Sequence, residues 1–580
     1  MHIKPRPLSV RLAIAQMAKR LKVAFLSYLC ATLSLWSGLS NGANADWIED
    51  IDFNKLVAIV GSSLPNGSGV PISLVEAIKI TKDGGGTVLT RSYKPDPSLA
   101  QFLALSDPNM ESVTFIDGSN NDCGGASTPC IGFSTHAGGQ AQNFFGNTKS
   151  ISPAANLVTL YEANDYLESV LRAPNGAPPI SQNFRVQNFS WVGDYDDTPS
   201  TPRTPTELAN NISALRRFDF LIERDNVTAV VGLNNGATKP VPPLLAQSYN
   251  AIALGVSDAD HSTGFTDLPG YGLGRSKPDL VMPQTTTSTA TSSTSSVAAF
   301  LHSVVAGTDA AKSETMKAIL MAGATKNEFP AWSRTTTQPL DVTYGAGEVN
   351  VYNSYVITQG GRFAGDSSVP TPVASHGWDY QTITGGSELK YLFSIPEGST
   401  ATELSILLDW NIDIPTGFNS QTLADFSLDL KDSLGQSIQA SNSPLDNVEH
   451  LYLTNLGPGE YTLSVSSNMT HDFGLAWRTS TLFDIASADF DEDGDVDGRD
   501  FLAWQRGYGK LLGATHAEGD ADGDGDVDSD DIMIFHAQFN PPIALTSALI
   551  HAVPEPSSIA LATGGILFYL LKRRRRGGAF

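Results

Sequence analysis

The chain has 580 residues, of which 41% are hydrophobic and 17% are charged. Because this length exceeds what one core usually holds, several domains are expected. The formal net charge of -24 at pH 7 excludes a nucleic-acid partner, since binding to a phosphate backbone requires a basic face. Half of this charge lies in segment 485–531, where fifteen acidic residues stand against three basic ones. Such clustering indicates a cation site.

Residues 1–45 have the pattern of a secretory signal peptide. Basic side chains precede an apolar run over 23–39, and the small residues Ala43-Asn44-Ala45 follow as a cleavage pattern. The alternative is an uncleaved anchor, although the run is short for a membrane span. The sequence therefore predicts that the protein is exported.

From 46 to 372, apolar runs typical of strands alternate with helical patterns. The predicted strands include LVAIV (56–60), VPISLV (70–75) and VTAVVGL (227–233), and residues 207–225 have an amphipathic helical pattern. Strands alternating with helices predict an α/β fold, in which a parallel sheet is covered by helices on both faces.

Two cysteines of this region, Cys123 and Cys130, lie close together in a glycine-rich stretch, whereas Cys30 falls in the predicted signal peptide. In an exported protein such a pair favours a small disulfide loop over two free thiols. A metal site is not expected there, because no His or further Cys lies at ligand spacing.

Four segments between 55 and 355 resemble the subtilase family of subtilisin-like serine peptidases, in the family's order of acid, His and Ser. The first is a glycine turn and an apolar strand that ends in Glu76, where the family has Asp. A carboxylate there would orient the catalytic imidazole. Asp117 is the alternative acid, since it also ends a strand-like run, although it lies only 19 positions (136 − 117) before His136.

The His and Ser segments are the second and the fourth. Residues 134–141 resemble the helix start that carries the family's catalytic His, and His136 matches that general base. Residues 274–283 nearly repeat the family's Lys-Pro-Asp-Leu-Val-Ala-Pro, and residues 290–299 then resemble Gly-Thr-Ser-x-Ala-x-Pro. In that motif the nucleophile stands at the start of a helix, where a backbone N–H faces the scissile carbonyl. Ser292 matches this nucleophile.

The third segment, 230–236, resembles the family's Asn-x-Gly turn after a buried strand. Asn234 matches the Asn whose side chain faces the developing oxyanion, and the alternative is an ordinary Asn-Gly turn. Residues 188–193 resemble the strand that lines the family's substrate cleft, although the Trp there is equally compatible with the core. The expected substrate-binding residues are Ser190, Trp191 and Gly193.

The resemblance implies a subtilisin-like domain over 46–372 with serine endopeptidase activity on a protein or peptide substrate. Ser292 would attack the peptide carbonyl, His136 would move the proton, and Glu76 would orient the His. The sequence departs from the family at the acid and around the His and the Ser. These departures leave a catalytically inactive subtilase fold, acting as a surface binding protein or a structural envelope protein, as the alternative.

From 373 to 482 the helical periodicity disappears. Short alternating runs are separated by Gly, Pro, Asn or Ser, and they read YLFSIP, ELSILLDW, FSLDLKD, HLYLTNL, YTLSVSS and FGLAWRT. This pattern predicts an all-β sandwich domain.

Residues 485–540 contain two copies of one acidic spacing. Carboxylates alternate along each copy, and Gly494 and Gly525 stand at position six, where a calcium loop turns sharply. An apolar helical pattern follows each copy. The expected Ca²⁺ ligands are Asp489, Asp491, Asp493, Asp495, Asp497, Asp500, Asp520, Asp522, Asp524, Asp526, Asp528 and Asp531. The pair resembles the dockerin type I duplicate, which implies a cohesin-like partner, and a purely structural module is the alternative.

Residues 553–580 begin with Val-Pro-Glu-Pro and continue with an apolar run over 559–571 and a basic block over 572–576. The basic block should stay cytoplasmic. The order resembles the PEP-CTERM sorting signal, which implies processing by a transpeptidase of the exosortase type. The tail would attach the protein to the membrane, stably or transiently, and place it at the cell surface or outside the cell. A plain C-terminal anchor is the alternative.

Overall fold

The computed structural model describes residues 47–103, 112–119, 123, 129–174, 176–195, 203–396, 399–483, 487–491, 496–523 and 525–539. The predicted signal peptide and the sorting tail lie outside these ranges. Among the helices within them, none is both long enough and apolar enough to cross a membrane.

A parallel β-sheet lies at the centre of the first domain. The strands of this domain are β1 (Ile72–Glu76), β2 (Lys79–Lys82), β3 (Val88–Ser92), β4 (Thr114–Asp117), β5 (Leu157–Glu162), β6 (Val186–Phe189), β7 (Thr228–Gly232), β8 (Ile252–Val256), β9 (Gly264–Phe265), β10 (Ser276–Lys277) and β11 (Leu280–Met282). The central sheet has seven strands in the order β11-β8-β7-β6-β1-β5-β4. Each neighbouring pair runs parallel, so the predicted α/β fold is confirmed.

Helices cover both faces of this sheet. They are α1 (Trp47–Asp50), α2 (Phe53–Val60), α3 (Thr135–Phe145), α4 (Ala163–Asp165), α5 (Pro205–Asp225), α6 (Thr287–Val304), α7 (Ser313–Gly323) and α8 (Val351–Gly360). Successive side chains of β1 therefore enter different cores: Leu74 belongs to the cluster that contains α6, and Val75 to the cluster that contains α5. Helix α5 confirms the helix predicted over 207–225, and it begins at a capping box of Thr204 and Glu207.

The prediction of a strand over 56–60 is wrong, because these residues lie in α2. A run of five apolar residues has no periodicity that separates a strand from a helix. Helix α2 buries Leu56 in the cluster that contains α6, which we call the main core. The helix ends at Gly61, whose φ is +70°. Trp47 and Ile51, just before it, are buried in the same core.

The second domain is a sandwich of two sheets, as predicted. Its strands are β12 (Thr371–Pro372), β13 (His376–Ile383), β14 (Glu388–Ile395), β15 (Ser399–Asp409), β16 (Phe426–Lys431), β17 (Ser437–Ser441), β18 (Val448–Leu453), β19 (Gly459–Ser467) and β20 (His471–Phe483). One sheet has the order β12-β14-β19-β16-β17 and the other β13-β20-β15-β18. The core between them combines Phe426 and Leu463 from the first sheet with Ile406 and Trp477 from the second.

The sandwich packs against α7 of the first domain through β15 and β20. At this interface Lys317 Nζ lies 3.0 Å from Asp409 Oδ1, with both side chains buried, and it donates to the Tyr249 carbonyl at 2.8 Å. The two domains therefore share a buried polar contact.

The region predicted over 485–540 is called the acidic module. It contains α9 (Gly498–Gly507) and α10 (Ser529–Gln538), the helices predicted after each acidic copy. A small core that includes Phe490 and Phe535 holds them together.

Candidate functional site

Glu76 and His136 form a hydrogen-bonded pair at the carboxyl end of the sheet. Glu76 is the last residue of β1, and His136 lies in the first turn of α3, which Ser134 caps by accepting from the Ala137 amide. His136 Nδ1 lies 2.7 Å from Glu76 Oε2. The Glu76 side chain is 1% exposed and that of His136 is 38% exposed. Among the described residues Nδ1 is the ring nitrogen that bonds, so Nε2 is available to a reacting group.

The electrostatics of this pair suit a general base. Burial raises the pKa of Glu76, while its bond with His136 acts in the opposite direction. The same bond raises the pKa of His136 above its ordinary value, and burial opposes this rise. A carboxylate at Nδ1 thus fixes the tautomer of the ring and stabilises the imidazolium form.

Asp117, the alternative acid, lies elsewhere. It ends β4, which is separated from β1 by β5 in the sheet. Its carboxylate accepts from the Tyr93 hydroxyl and from Lys94 Nζ, each at 2.5 Å. Although burial acts to raise it, the bonds from Lys94 and Tyr93 lower the pKa of Asp117. The structure therefore brings Glu76, and not Asp117, to His136.

Ser292 lies inside the protein. Helix α6 begins at Thr287 after a capping box of Thr286 and Thr289, which places Ser292 in the second turn. Its side chain is 0% exposed, and its Oγ donates to Gln140 Oε1 at 2.9 Å and to the Thr289 carbonyl at 3.1 Å. The expectation that Ser292 stands at the helix start is wrong, because the capping box starts the helix earlier.

Ser288 occupies the first turn of α6 and contacts the end of β6. Its Oγ donates to the Ser190 carbonyl at 3.3 Å, and Ser190 Oγ donates to the Ser288 carbonyl at 3.3 Å. Ser190 follows β6 directly, and Val75 pairs with Phe189, so Ser190 is level with Glu76 on the adjacent strand. Adjacent strands lie about 4.8 Å apart. Ser288 is therefore held at the carboxyl end of the sheet, beside the Glu76–His136 pair.

The register of α3 against α6 brings Ser288 toward His136. Gln140 of α3 bonds to Ser292 of α6, and the next turn of α6 bonds to residues just after α3, because Ser296 Oγ accepts from the Ile151 amide. The two helices thus run in the same direction. One turn is about four residues, so one turn before the Gln140–Ser292 contact lie His136 and Ser288.

The sequence carried a signal for Ser288. Residues 287–290 read Thr-Ser-Thr-Ala, which fits the Thr-Ser-x-Ala part of the nucleophile motif with Ser288 at the Ser position. At Ser292 the residue two positions later is Thr294 instead of Ala.

The two Asn residues after β7 have different contacts. Asn234, the expected oxyanion ligand, donates from Nδ2 to the Pro240 carbonyl at 2.8 Å. Asn235 accepts at Oδ1 from the Thr287 amide at 2.9 Å, so it holds the start of α6. Both lie at the carboxyl end of the sheet, as Glu76 does, because β7 is parallel to β6.

The expected substrate-binding residues follow β6 at this end of the sheet. Ser190 is buried and bonds to Ser288, as described above. Trp191 is partly buried and packs on the core that contains α5. The Gly193 carbonyl accepts from the Leu244 amide at 3.1 Å. Away from this end, Cys123 and Cys130 form a disulfide.

The acidic module brings its carboxylates together in groups. Within each group, one oxygen from each residue lies within 4.8 Å of the others, and the groups are Asp489, Asp491 and Asp500; Asp520, Asp522 and Asp531; and Asp526, Asp528 and Asp531. Gly525 has φ +90°, as the sharp turn requires. These oxygen donors fit Ca²⁺. Asp493, Asp495 and Asp524 lie outside the described residues.

Two carboxylates of the module, those of Asp497 and Asp528, have a helix-capping contact. Asp497 accepts from the Arg499 amide at 2.7 Å, and Asp528 accepts from the Asp530 amide at 2.7 Å. They are the N-caps of α9 and α10 respectively. The conformation of each loop is therefore fixed in part by the helix that follows it.

Comparison with known proteins gives a family match at the C-terminus. The PEP-CTERM protein-sorting motif matches residues 552–576. This match indicates recognition by an exosortase-type sorting system, export and sorting to the cell surface. Among curated proteins, none matches the sequence.

Several solved structures are similar to parts of this chain at low identity. A protease from Pseudoalteromonas arctica is 12% identical over 55% of this chain and 94% of its own, with a TM-score of 0.29. Fervidolysin from Fervidobacterium pennivorans, a keratinolytic enzyme related to subtilisin, is 10% identical over 76% of this chain and 78% of its own, with a TM-score of 0.32. Pseudomonas sedolisin, a serine-carboxyl proteinase, is 14% identical over 52% of this chain and 96% of its own, with a TM-score of 0.31.

Proposed function

We propose that this protein is an exported serine endopeptidase that uses Glu76, His136 and Ser288. The observation that carries the proposal is the 2.7 Å bond between His136 Nδ1 and Glu76 Oε2, made at the end of a buried strand and at the start of a helix. A histidine held in this way by a buried carboxylate has the tautomer and the basicity that a general base needs.

The proposed reaction begins with Ser288. His136 Nε2 takes the Ser288 proton as Oγ attacks the peptide carbonyl, and Glu76 stabilises the imidazolium that forms. The imidazolium then gives its proton to the leaving amine, and the C–N bond breaks to leave an acyl-serine. A water molecule, deprotonated by His136, hydrolyses this ester and restores Ser288.

The carboxyl end of the sheet offers groups for the oxyanion and the substrate. Asn234 Nδ2 would release the Pro240 carbonyl and donate to the oxyanion, together with backbone amides at the positive end of α6. Ser190, Trp191 and Gly193 would bind the extended peptide, because they continue the line of β6 past its end.

Labelling with a fluorophosphonate probe tests the nucleophile. We expect the wild type to be labelled, Ser288→Ala to lose the label, and Ser292→Ala to keep it. Ser292→Ala is a matched control, since it removes a hydroxyl from the next turn of the same helix. Label lost from Ser292→Ala and kept in Ser288→Ala would return the role to Ser292.

The inactive subtilase fold is the second candidate. It is favoured by the Ser288 hydroxyl, which donates to the Ser190 carbonyl instead of to His136. A folded wild type that takes no label and cleaves no protein substrate would favour this surface binding or structural role.

For the acidic module we propose two bound Ca²⁺ ions in a dockerin-like arrangement. The support is the grouping of carboxylate oxygens and the φ of Gly525, and a cohesin-like partner follows from the resemblance alone. The tail would anchor the chain in the membrane before the exosortase-type enzyme processes it. Calorimetry on the full chain tests the metal, and absence of binding heat would refute it.

A further inference from the structure

The two calcium loops of the acidic module differ in their surroundings. In the first loop Asp491 is exposed and Asp489 is partly exposed. In the second loop Asp520, Asp526 and Val527 are buried. Because the two copies have the same spacing, their local sequence does not explain this difference. The second loop is covered by other parts of the chain.

Tyr352 of α8 covers the second loop. Its hydroxyl donates to Asp526 Oδ2 at 2.5 Å, and Lys55 Nζ lies 4.3 Å from the centre of its ring. A bond from a hydroxyl to a carboxylate is among the stronger kinds of hydrogen bond. This bond joins the module to the domain that contains Glu76 and His136.

Apolar and close backbone contacts extend the same interface. Leu511 and Leu512, in the segment between the two loops, pack against the core cluster that includes Tyr352. A Cβ placed on Gly525 would lie 3.9 Å from Ser375 Oγ in the sandwich domain. The module therefore touches both larger domains at its second loop.

Asp526 connects this interface to the calcium ligands. It occupies position seven of its loop, where the ion is bound through the backbone carbonyl, and its carboxylate accepts from Tyr352. The same residue has an oxygen within 4.8 Å of carboxylate oxygens of Asp528 and Asp531. An ion that orders the loop thus also positions the acceptor of the Tyr352 bond.

We propose that the second calcium loop is a docking surface for α8 of the same chain. Ca²⁺ bound there holds the module against the catalytic domain, and the module acts as an internal brace. The proposal rests on the calcium binding proposed above and not on proteolysis. Because linkage is reciprocal, docking on Tyr352 must also tighten calcium binding at the second loop.

Calorimetric titration of the full chain with Ca²⁺, with thermal unfolding in Ca²⁺ and in chelator, tests the proposal. In Tyr352→Phe we expect one of the two sites to weaken by roughly tenfold, since a hydrogen bond to a charged group is lost, and the Ca²⁺-dependent rise in Tm to shrink. Tyr355→Phe is the matched control, because Tyr355 lies one turn further along α8 and its ring contacts Phe300.

A second variant removes the acceptor of this bond. Asp526→Asn keeps the backbone carbonyl at position seven of the loop and should reproduce the loss seen in Tyr352→Phe. Unchanged affinities and Tm in Tyr352→Phe, with two sites in the wild type, would overturn the docking alone. No calcium binding by the wild type would overturn the docking and the calcium proposal together.

Discussion

Replacing Glu76 by Gln keeps the shape of the side chain and removes its charge. Glu76 bonds to His136 at 2.7 Å, and the amide of a Gln would donate to Nδ1, so that Nε2 carries the proton and no longer accepts one from Ser288. Loss of the triad acid lowers kcat by about 10⁴-fold, which corresponds to about 5.5 kcal/mol of transition-state stabilisation. The free energy of unfolding should fall by at most about 3 kcal/mol, the upper range for a hydrogen bond to a charged group.

The assay is the initial rate of cleavage of a quenched protein substrate, with the folded fraction checked by urea unfolding. Asp117→Asn is the control, because it removes a carboxylate that bonds to Tyr93 and Lys94, and it should leave kcat close to the wild-type value. The reasoning fails if folded Glu76→Gln retains kcat within about tenfold, a change of only about 1.4 kcal/mol. A large loss in Asp117→Asn alone would move the acid to Asp117.

Two other predictions concern pH and packing. Since Glu76 raises the pKa of His136 and the base must be neutral, kcat/KM should rise with pH through a value above the ordinary His pKa of about 6.5. NMR titration of the ring in Glu76→Gln should give a lower pKa, and an unchanged value would contradict the pairing. Gly345→Ala should lower the free energy of unfolding by about 3 kcal/mol or more, because φ is +59° and the new Cβ would collide with the Asp279 carbonyl. In the control Gly386→Ala, where φ is +79° and the space is open, the loss should be about 1–2 kcal/mol, and equal losses by urea unfolding would refute the steric argument.

The architecture follows from local patterns in the sequence. Short apolar runs such as 70–75 and 227–233 predict buried parallel strands, and the alternating runs after 373 predict the sandwich. The error over 56–60 has a physical reason, since the helix there is fixed by burial of Leu56 and by the turn at Gly61. The contact of Lys317 with Asp409 cannot be predicted from local sequence patterns either, because it depends on how the two folded domains pack.

The residues of the candidate site also differ in how directly the sequence predicts them. Glu76 and His136 are found from the sequence because each stands at the end of a local element. The Ser does not follow as directly, because a long Ser/Thr-rich run fits the nucleophile motif in more than one register. The side chain of Thr286 caps α6 and so sets its first residue. This start places Ser288 at the carboxyl end of the sheet and Ser292 in the protein interior.

The burial of Trp47 has a consequence for the order of events during export. Cleavage is predicted after Ala45, two positions before an indole that is 4% exposed. A protease that removes the leader needs several extended residues on each side of the bond, and the folded domain would withdraw those on the far side. On this prediction, removal of the leader would precede the final collapse of the domain around Trp47. A variant that folds faster than it is processed would accumulate with its leader attached.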